Sequence, residues 1–386
     1  MRDPTYLRFP QAEYVQRWER ARALMDRTGL EALFITEGGN FTYLAGGTRD
    51  FSYTRPTVLL FPRDGAPVAF VQMFPREIQR RQCWVEELRV YRSLTGVPVD
   101  EIRDAFCERR LERSRVGAEL GFEQRLGISP HDFRRLQEAL PQVEFVDAAP
   151  VLWALRMVKS EAEIGCVRRA CAITSAAYDR LFPRLRLGMD EVAAARIFTD
   201  LHTEAGARPW LVINSCPDNY AVLYGGPTTR RLEPGNVLWI DGGCTANEYY
   251  SDFSRLAFLG PPTERQRALH EMVLEITKTC VAAIRPGVRA SELWDLNWRE
   301  WQKRGYDYAE IDFAGGRIGH GMGLMLTEPP HIAPYDQTVL QPGMVVTMEP
   351  AIVTAEGCFH VEENILVTEH GPELLSNASR VPIIIE

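Results

Sequence analysis

Several features that would assign the chain to a large class are missing. Its eight cysteines, at positions 83, 107, 166, 171, 216, 244, 280 and 358, form no C-x-x-C pair. A zinc ribbon or thioredoxin-type site is therefore unsupported, and reduced, mostly buried thiols are expected. No run of 18 apolar residues occurs, and the opening MRDPTYLRFPQAEY has no apolar signal core, so neither a membrane span nor export is expected. There is no long basic run and the formal net charge is −8, which argues against nucleic acid and anionic membranes as partners. The pieces GGC and GGPTT do not build a G-x-G-x-x-G, so the dinucleotide fingerprint is absent. What remains is a cytoplasmic globular protein of ordinary make-up, 45% hydrophobic and 25% charged.

At 386 residues the chain exceeds the size at which one core usually stops growing, so two domains are expected. The first part reads as a small α/β unit. Tyr14 to Thr28 has a helical apolar period stopped by Gly29. EALFITEG, TVLLF, VAFV and VGAEL read as strands, with PRDGAP as a turn, and HDFRRLQEAL reads as a helix. Ser160 and Glu163 fit a capping box opening a long helix from Glu161 toward Arg184. These signals divide the chain into domains 1–155 and 156–386. In the second part, Thr263–Ile284 and Ser291–Lys303 read as helices, the latter opened by a Ser-Glu cap. The stretches 209–260 and 313–386 are β-branched runs broken by Gly and Pro. Helices segregated from antiparallel strands indicate an α+β domain.

The chemistry concentrates there. In VLWIDGGCTANEYYSDFSRLAFL, a turn centred on Ala246-Asn247 makes Asp241 and Asp252 direct cross-strand partners, about 5 Å apart at Cβ. In VVTMEPAIVTAEGCFHVEENILVT, a turn at Ala355-Glu356 opposes Glu349 to Glu362 in the same way. Like charges so opposed destabilise a hairpin unless a cation lies between them. GHGMGL adds His320, framed by Gly319 and Gly321, which leaves its ring room to meet a metal. Four carboxylates and one imidazole suit two divalent ions about 3.5–4 Å apart with bridging carboxylates. Oxygen donors with one nitrogen favour manganese, cobalt, iron or zinc over copper.

These motifs, IDGG…YYSDFSR, GHGMGL, TMEPAI and HVEENILVT, resemble the pita-bread metallopeptidase family, which includes methionine aminopeptidase, prolidase, aminopeptidase P and the metal-free creatinase. The leading domain of about 155 residues also resembles that of the prolidase and creatinase branch. The resemblance implies an α+β pita-bread catalytic domain behind a smaller α/β domain. It implies that Asp241, Asp252, His320, Glu349 and Glu362 hold two divalent ions, manganese foremost, with Asp252 and Glu362 bridging. It further implies a homodimer acting on a dipeptide or other small substrate. Metal-activated water would attack an amide carbonyl, with Glu349 accepting a proton.

Three positions depart from the family pattern. The histidine that relatives carry seven residues after the metal-binding one is Thr327 here, in LMLTEPP. An upstream family histidine falls on Leu223 or Tyr224, in NSCPDNYAVLYGG. The arginine two residues before the last metal-binding glutamate is His360. Such histidines help bind the scissile carbonyl, and the available substitutes are His331 and Tyr224, or Tyr220. The catalytic candidates are therefore Glu349, His331 and Tyr224. Arg255 reads as a buried partner of nearby carboxylates, and Cys216, Cys244 and Cys358 as packing. The reading is a di-metal hydrolase of the Xaa-Pro dipeptidase or aminopeptidase kind. The alternatives are a metal-dependent enzyme of the same fold acting on a small non-peptide (a cyclic amidine, a guanidino-type C–N bond, or a zwitterion cleaved by a lyase) and an inert binding module.

Overall fold

The computed structural model describes residues 7–47, 55–215, 226–307 and 316–386. The chain divides into two compact units, Met1–Arg156 and Met157–Glu386.

In the first unit, helix α1 (Gln11–Thr28) ends as its sequence requires. Gly29 adopts a left-handed φ of 67° and returns its N–H to the carbonyls of Asp26 and Met25. The start lies three residues earlier than the apolar period indicates, because Pro10 in extended backbone serves as the N-cap. A six-stranded sheet follows, built from β1 (Ala32–Ile35), β2 (Val58–Pro62), β3 (Val68–Gln72), β4 (Glu87–Tyr91), β5 (Arg115–Ala118) and β6 (Glu144–Asp147), in the order β4-β3-β2-β1-β5-β6. Its middle strands β3, β2 and β1 are antiparallel, while β4, β5 and β6 join in parallel. Strands β1, β2 and β3 are buried along their whole length, which explains their continuous apolar runs. Five helices accompany the sheet: α2 (Gly38–Ala45), α3 (Arg76–Gln82), α4 (Val99–Glu108), α5 (Pro130–Ala139) and α6 (Ala149–Met157). Of these, only α5 was evident from periodicity.

The second unit opens with α7 (Glu161–Leu181), where Ser160 and Glu163 close the capping box reciprocally; a 3₁₀ turn, Phe182–Arg184, completes it. Helix α8 (Glu191–Glu204) leads into β7 (Arg208–Asn214). Then come β8 (Val237–Ala246), β9 (Tyr249–Tyr250) and β10 (Phe253–Leu259), followed by α9 (Glu264–Ala283) and α10 (Ala290–Lys303). Helix α9 carries a Thr263–Gln266 capping box. Helix α10 begins one residue before Ser291, and Glu292 accepts from the Arg289 N–H at 3.2 Å and from its Nη1 at 3.3 Å, so the expected Ser-Glu cap is not the one used. The remaining strands are β11 (His320–Gly321), β12 (Glu328–His331), β13 (Val345–Met348), β14 (Ala351–Thr354), β15 (Gly357–His360), β16 (Glu363–Thr368), β17 (Gly371–Leu374) and β18 (Ile383–Ile385). They form sheets of order β18-β10-β8-β7, with β9 on β8, and β12-β11-β13-β16-β17, plus the hairpin β14-β15. All pairs but β10–β18 are antiparallel. The core between sheets and helices gathers Trp239, Leu256, Val273, Ile276, Trp301, Val346, Met348 and Phe359.

The two hairpins differ from each other in how they match the expected registers. In the second, Ala351 faces His360 and Met348 faces Glu363, so Glu349 and Glu362 fall opposite one another, between two strand pairs of one register. In the first, Asp241 pairs with Ser254 rather than Asp252, and Ala246 pairs with Tyr249. The turn is made by Asn247 and Glu248, both with positive φ (50° and 73°), the conformation that matches the strand twist in a two-residue hairpin. The register therefore slips by two residues. A slip of two preserves which face each side chain takes, whereas a slip of one would reverse it.

Candidate metal centre

Helix α7 fastens the strands that carry the two aspartates. The Tyr178 hydroxyl lies 3.1 Å from the Ile240 carbonyl oxygen and 2.9 Å from that of Phe253. Thr174 and Ser251 exchange a hydrogen bond of 2.9 Å, and Ser251 Oγ accepts the Cys244 N–H at 3.0 Å. Asp252 lies in the gap between β9 and β10, where the ladder is broken. Asp241 lies within β8, His320 opens β11, Glu349 follows β13, and Glu362 sits between β15 and β16.

The two glycines around His320 have a different purpose from the one their sequence suggests. A Cβ on Gly319 would meet the Thr347 carbonyl oxygen at 2.3 Å, and one on Gly321 would meet that of Pro329 at 2.3 Å. Glycine is needed because neighbouring backbones press on β11 from both sides, not because the imidazole needs room.

The structure brings all five residues together and adds a sixth. Ligating atoms of Asp252, His320 and Glu362 lie within 4.8 Å of one another, and so do those of Asp241, His360 and Glu362. Glu362 is common to both groups. Glu349 borders them: its Oε1 is 3.8 Å from His320 Nε2 and its Oε2 is 4.0 Å from His360 Nε2. Asp252 Oδ2 is 3.4 Å from His320 Nε2. His360 entered the sequence reading only as a missing arginine. Its spacing of two from Glu362 on an extended segment puts both side chains on one face, a signal that could have found it.

The electrostatics are those of acids packed without compensation. Burial pushes the Asp241 carboxyl up to about 6 and, against the nearby Arg317 guanidinium, that of Glu349 up to about 8. Burial and the facing carboxylates raise Asp252 and Glu362 well above the usual range. Burial also holds both imidazoles, His320 and His360, down to about 3. Among the described residues, no donor reaches either carboxylate oxygen of Glu362, Oδ1 of Asp241 or Oε1 of Glu349.

Around this cluster, His331 is buried on β12 and pairs directly with His320 across the strands. Arg317, partly exposed, donates through Nη1 to His331 Nδ1 at 3.4 Å, and its Nε stands 4.0 Å from Glu349 Oε1. Thr327 is half-buried just before β12. Arg255 is buried against Glu363 at 3.2 Å and donates to the Glu362 carbonyl at 2.8 Å, as a partner of carboxylates should. Cys244 and Cys358 are buried and unpaired. Tyr220, Leu223, Tyr224 and Cys216 lie outside the described residues.

Comparison with known proteins follows the same division of the chain. Residues 165–369 match metallopeptidase family M24, and residues 17–158 match the Creatinase/Prolidase N-terminal domain. The chain belongs to metallopeptidase family M24. It is 34% identical over 240 residues to a Xaa-Pro dipeptidase of Pyrococcus furiosus, covering 61% of this chain and 68% of that one. A second Xaa-Pro dipeptidase, from Pyrococcus horikoshii, is 28% identical over 362 residues, covering 92% and 95%. The crystal structure of the Pyrococcus horikoshii OT3 prolidase matches with a TM-score of 0.82 at 26% identity, over 95% of this chain and 99% of that one. Membership makes this chain a metal-dependent peptidase with the α+β pita-bread architecture and a creatinase-type leading domain. The reading as an enzyme of non-peptide substrates is not favoured by these relatives. No described helix is long and apolar enough to cross a membrane.

Proposed function

We propose that the protein hydrolyses dipeptides of the Xaa-Pro type with two divalent ions, manganese foremost, held by Asp241, Asp252, His320, Glu349 and Glu362. One observation carries the reading: two ligand groups overlap at Glu362, and neither Glu362 oxygen nor Asp241 Oδ1 meets a donor among the described residues. Buried acids so arranged either take up protons or hold cations, since each uncompensated charge costs on the order of several kcal/mol. When bound, the ions supply Lewis acidity toward an amide carbonyl and make water more acidic. Glu362, common to both groups, and Asp252 would hold the ions together with Asp241, His320 and Glu349.

The protein's own groups do the rest. Glu349, at the edge of the cluster, accepts the proton released as water adds to the carbonyl carbon, and passes it to the leaving nitrogen. His331 replaces the family histidine absent at Thr327: because the Arg317 N–H occupies its Nδ1, a neutral ring bears its proton on Nε2 and can donate to the carbonyl oxygen. Tyr224 is the second candidate for that donor. A homodimer working in the cytoplasm is consistent with the net charge of −8 and with the prolidase branch. The test is turnover of manganese-loaded protein on a panel of Xaa-Pro dipeptides, beside dipeptides lacking proline. Hydrolysis restricted to the Xaa-Pro members, abolished by Glu362→Gln, is expected; loaded protein inactive on the whole panel would refute the reading.

A further inference from the structure

His320 and His360 face the same carboxylates, but their outer nitrogens are engaged in opposite ways. His320 Nδ1 is 2.9 Å from the carbonyl oxygen of Gly321. A carbonyl only accepts, so Nδ1 carries the proton and Nε2, 3.4 Å from Asp252 Oδ2, presents a lone pair. His360 Nδ1 instead receives the indole N–H of Trp239 at 3.1 Å. An indole N–H only donates, so Nδ1 holds the lone pair and the ring proton sits on Nε2. A doubly protonated ring is excluded by the same contact, because it would set N–H against N–H.

The consequence runs against the distances. By separation alone, Asp241, His360 and Glu362 look like three ligands of one ion. A nitrogen that bears a proton has no lone pair to give. We propose that His360 is a fixed hydrogen-bond donor of the site and not a metal ligand: Trp239 locks the tautomer, and Nε2–H is left to serve the neighbouring Glu349 carboxylate. Trp239 and Asp241 are two apart on β8, and His360 and Glu362 two apart on the facing segment, so two rungs run side by side between the same pieces of chain. One rung sets a tautomer and the other supplies carboxylates. The Nε2 to Oε2 separation of 4.0 Å is beyond hydrogen-bond range, so this is a contact for the bound substrate to close. Where relatives carry an arginine, this chain then keeps an N–H donor without a permanent charge. The inference rests on the proposed metal-dependent reading for its setting, but the tautomer is measurable without it.

The deciding experiment is ¹⁵N NMR of histidine-labelled protein, metal-free and loaded with ¹¹³Cd. His360 Nε2 should show one-bond coupling to a proton in both states and no coupling to cadmium, while His320 Nε2 couples to cadmium and carries no proton. Cadmium coupling at His360, or a bare Nε2 there, would overturn the proposal. Variants give a second readout. His360→Ala should keep the wild-type metal stoichiometry yet lose about 10–100-fold in turnover, and His360→Gln, whose amide N–H falls near Nε2, should recover most of it. Loss of one ion in His360→Ala would make the residue a ligand and refute the idea. If the wild-type protein binds no cadmium, the metal reading fails, and the proton on Nε2 in the metal-free spectrum still decides the tautomer.

Discussion

Asn364 grips the peptide of Asp252 from both sides. Its Oδ1 accepts the Asp252 N–H at 2.9 Å while its amide donates to the Asp252 carbonyl. The side-chain amide thus imitates a strand neighbour at the point where the ladder between β9 and β10 is interrupted. Cys171 Sγ, from α7, donates to the same Oδ1 at 3.2 Å. Asn364→Asp can still accept from the N–H but cannot donate to the carbonyl, and it brings a further charge to the acids. We expect metal affinity to fall about 10–100-fold, as for other groups that orient a ligand, with the fold retained. Calorimetric titration with manganese checks this, and unchanged affinity would show that Asp252 holds its place unaided.

Removing the ions has a predictable cost. Asp241, Asp252, Glu349 and Glu362 converge, and both Glu362 oxygens, Asp241 Oδ1 and Glu349 Oε1 meet no donor among the described residues, so the folded state should bind cations that the unfolded chain does not. At free metal about 100 times the dissociation constant, the stabilisation is about 2.7 kcal/mol. Chelation of loaded protein should therefore lower the melting temperature and stop turnover together. A melting curve indifferent to chelator, in protein shown to contain metal, would contradict the assignment of these carboxylates.

What the sequence revealed, and what it concealed, follows from range. The Glu349–Glu362 hairpin was readable because a turn at Ala355-Glu356 sets the partners locally. The Asp241–Asp252 register was misjudged by two residues because Asn247 and Glu248, rather than Ala246 and Asn247, take the left-handed backbone. The aspartates still share a site, since strand faces repeat every two residues. The bonds from Trp239 to His360 and from Asp252 to Asn364 span 121 and 112 residues. No spacing rule reaches that far, so the groups that orient the site were hidden while the ligand candidates were visible.

Gly321 offers a test of the strand packing. Its missing Cβ would meet the Pro329 carbonyl oxygen at 2.3 Å and that of Glu328 at 2.9 Å, both backbone atoms that cannot swing aside. Gly321→Ala should separate β11 from β12, shift the neighbouring His320, and destabilise the protein by about 1–3 kcal/mol, the usual cost of overpacking. Turnover should fall more than stability alone explains. Denaturant titration beside turnover of the folded fraction measures both, and a fully active variant would show that β11 tolerates the shift.

The first unit contains its own titrating group. Glu119 is buried and accepts hydrogen bonds from the N–H and hydroxyl of Thr36, the N–H of Glu37 and the amide of Asn40. Burial raises its carboxyl to about 7, with the Asn40 and Thr36 donors opposing the rise. The folded pKa exceeds the unfolded value of about 4.3, so the native state binds more protons between the two. This contribution to stability is complete below about pH 4 and is lost as pH rises through about 7, a change of about 3 kcal/mol. Urea denaturation of metal-free protein should show that loss between about pH 5 and 8, on top of the loss from the raised Asp241 and Glu349 carboxyls. Glu119→Gln should make the profile shallower by about the Glu119 contribution while costing about 1–3 kcal/mol, since its amide hydrogens must face other donors. A variant whose profile parallels the wild type's across that window would show that Glu119 does not contribute.

Thr327 poses the sharpest question about activity. It stands seven residues after His320 and immediately before Glu328, which pairs with Gly321, so it lies beside the strand that carries His320. A threonine hydroxyl is short and neutral, and donates a single hydrogen bond. Loss of one donor to a developing oxyanion costs on the order of 10²–10³ in turnover unless another group supplies it. If His331 replaces it fully, Thr327→His adds little and His331→Ala removes that factor. If replacement is partial, Thr327→His raises turnover on Xaa-Pro dipeptides. The buried position of His331, with the Arg317 Nη1 donating to its Nδ1 at 3.4 Å, favours partial replacement. We therefore expect Thr327→His to gain at least about tenfold in kcat with little change in KM, because the new donor acts on charge that develops only in the transition state. Unchanged kcat in Thr327→His together with a collapse in His331→Ala would instead make His331 the complete substitute.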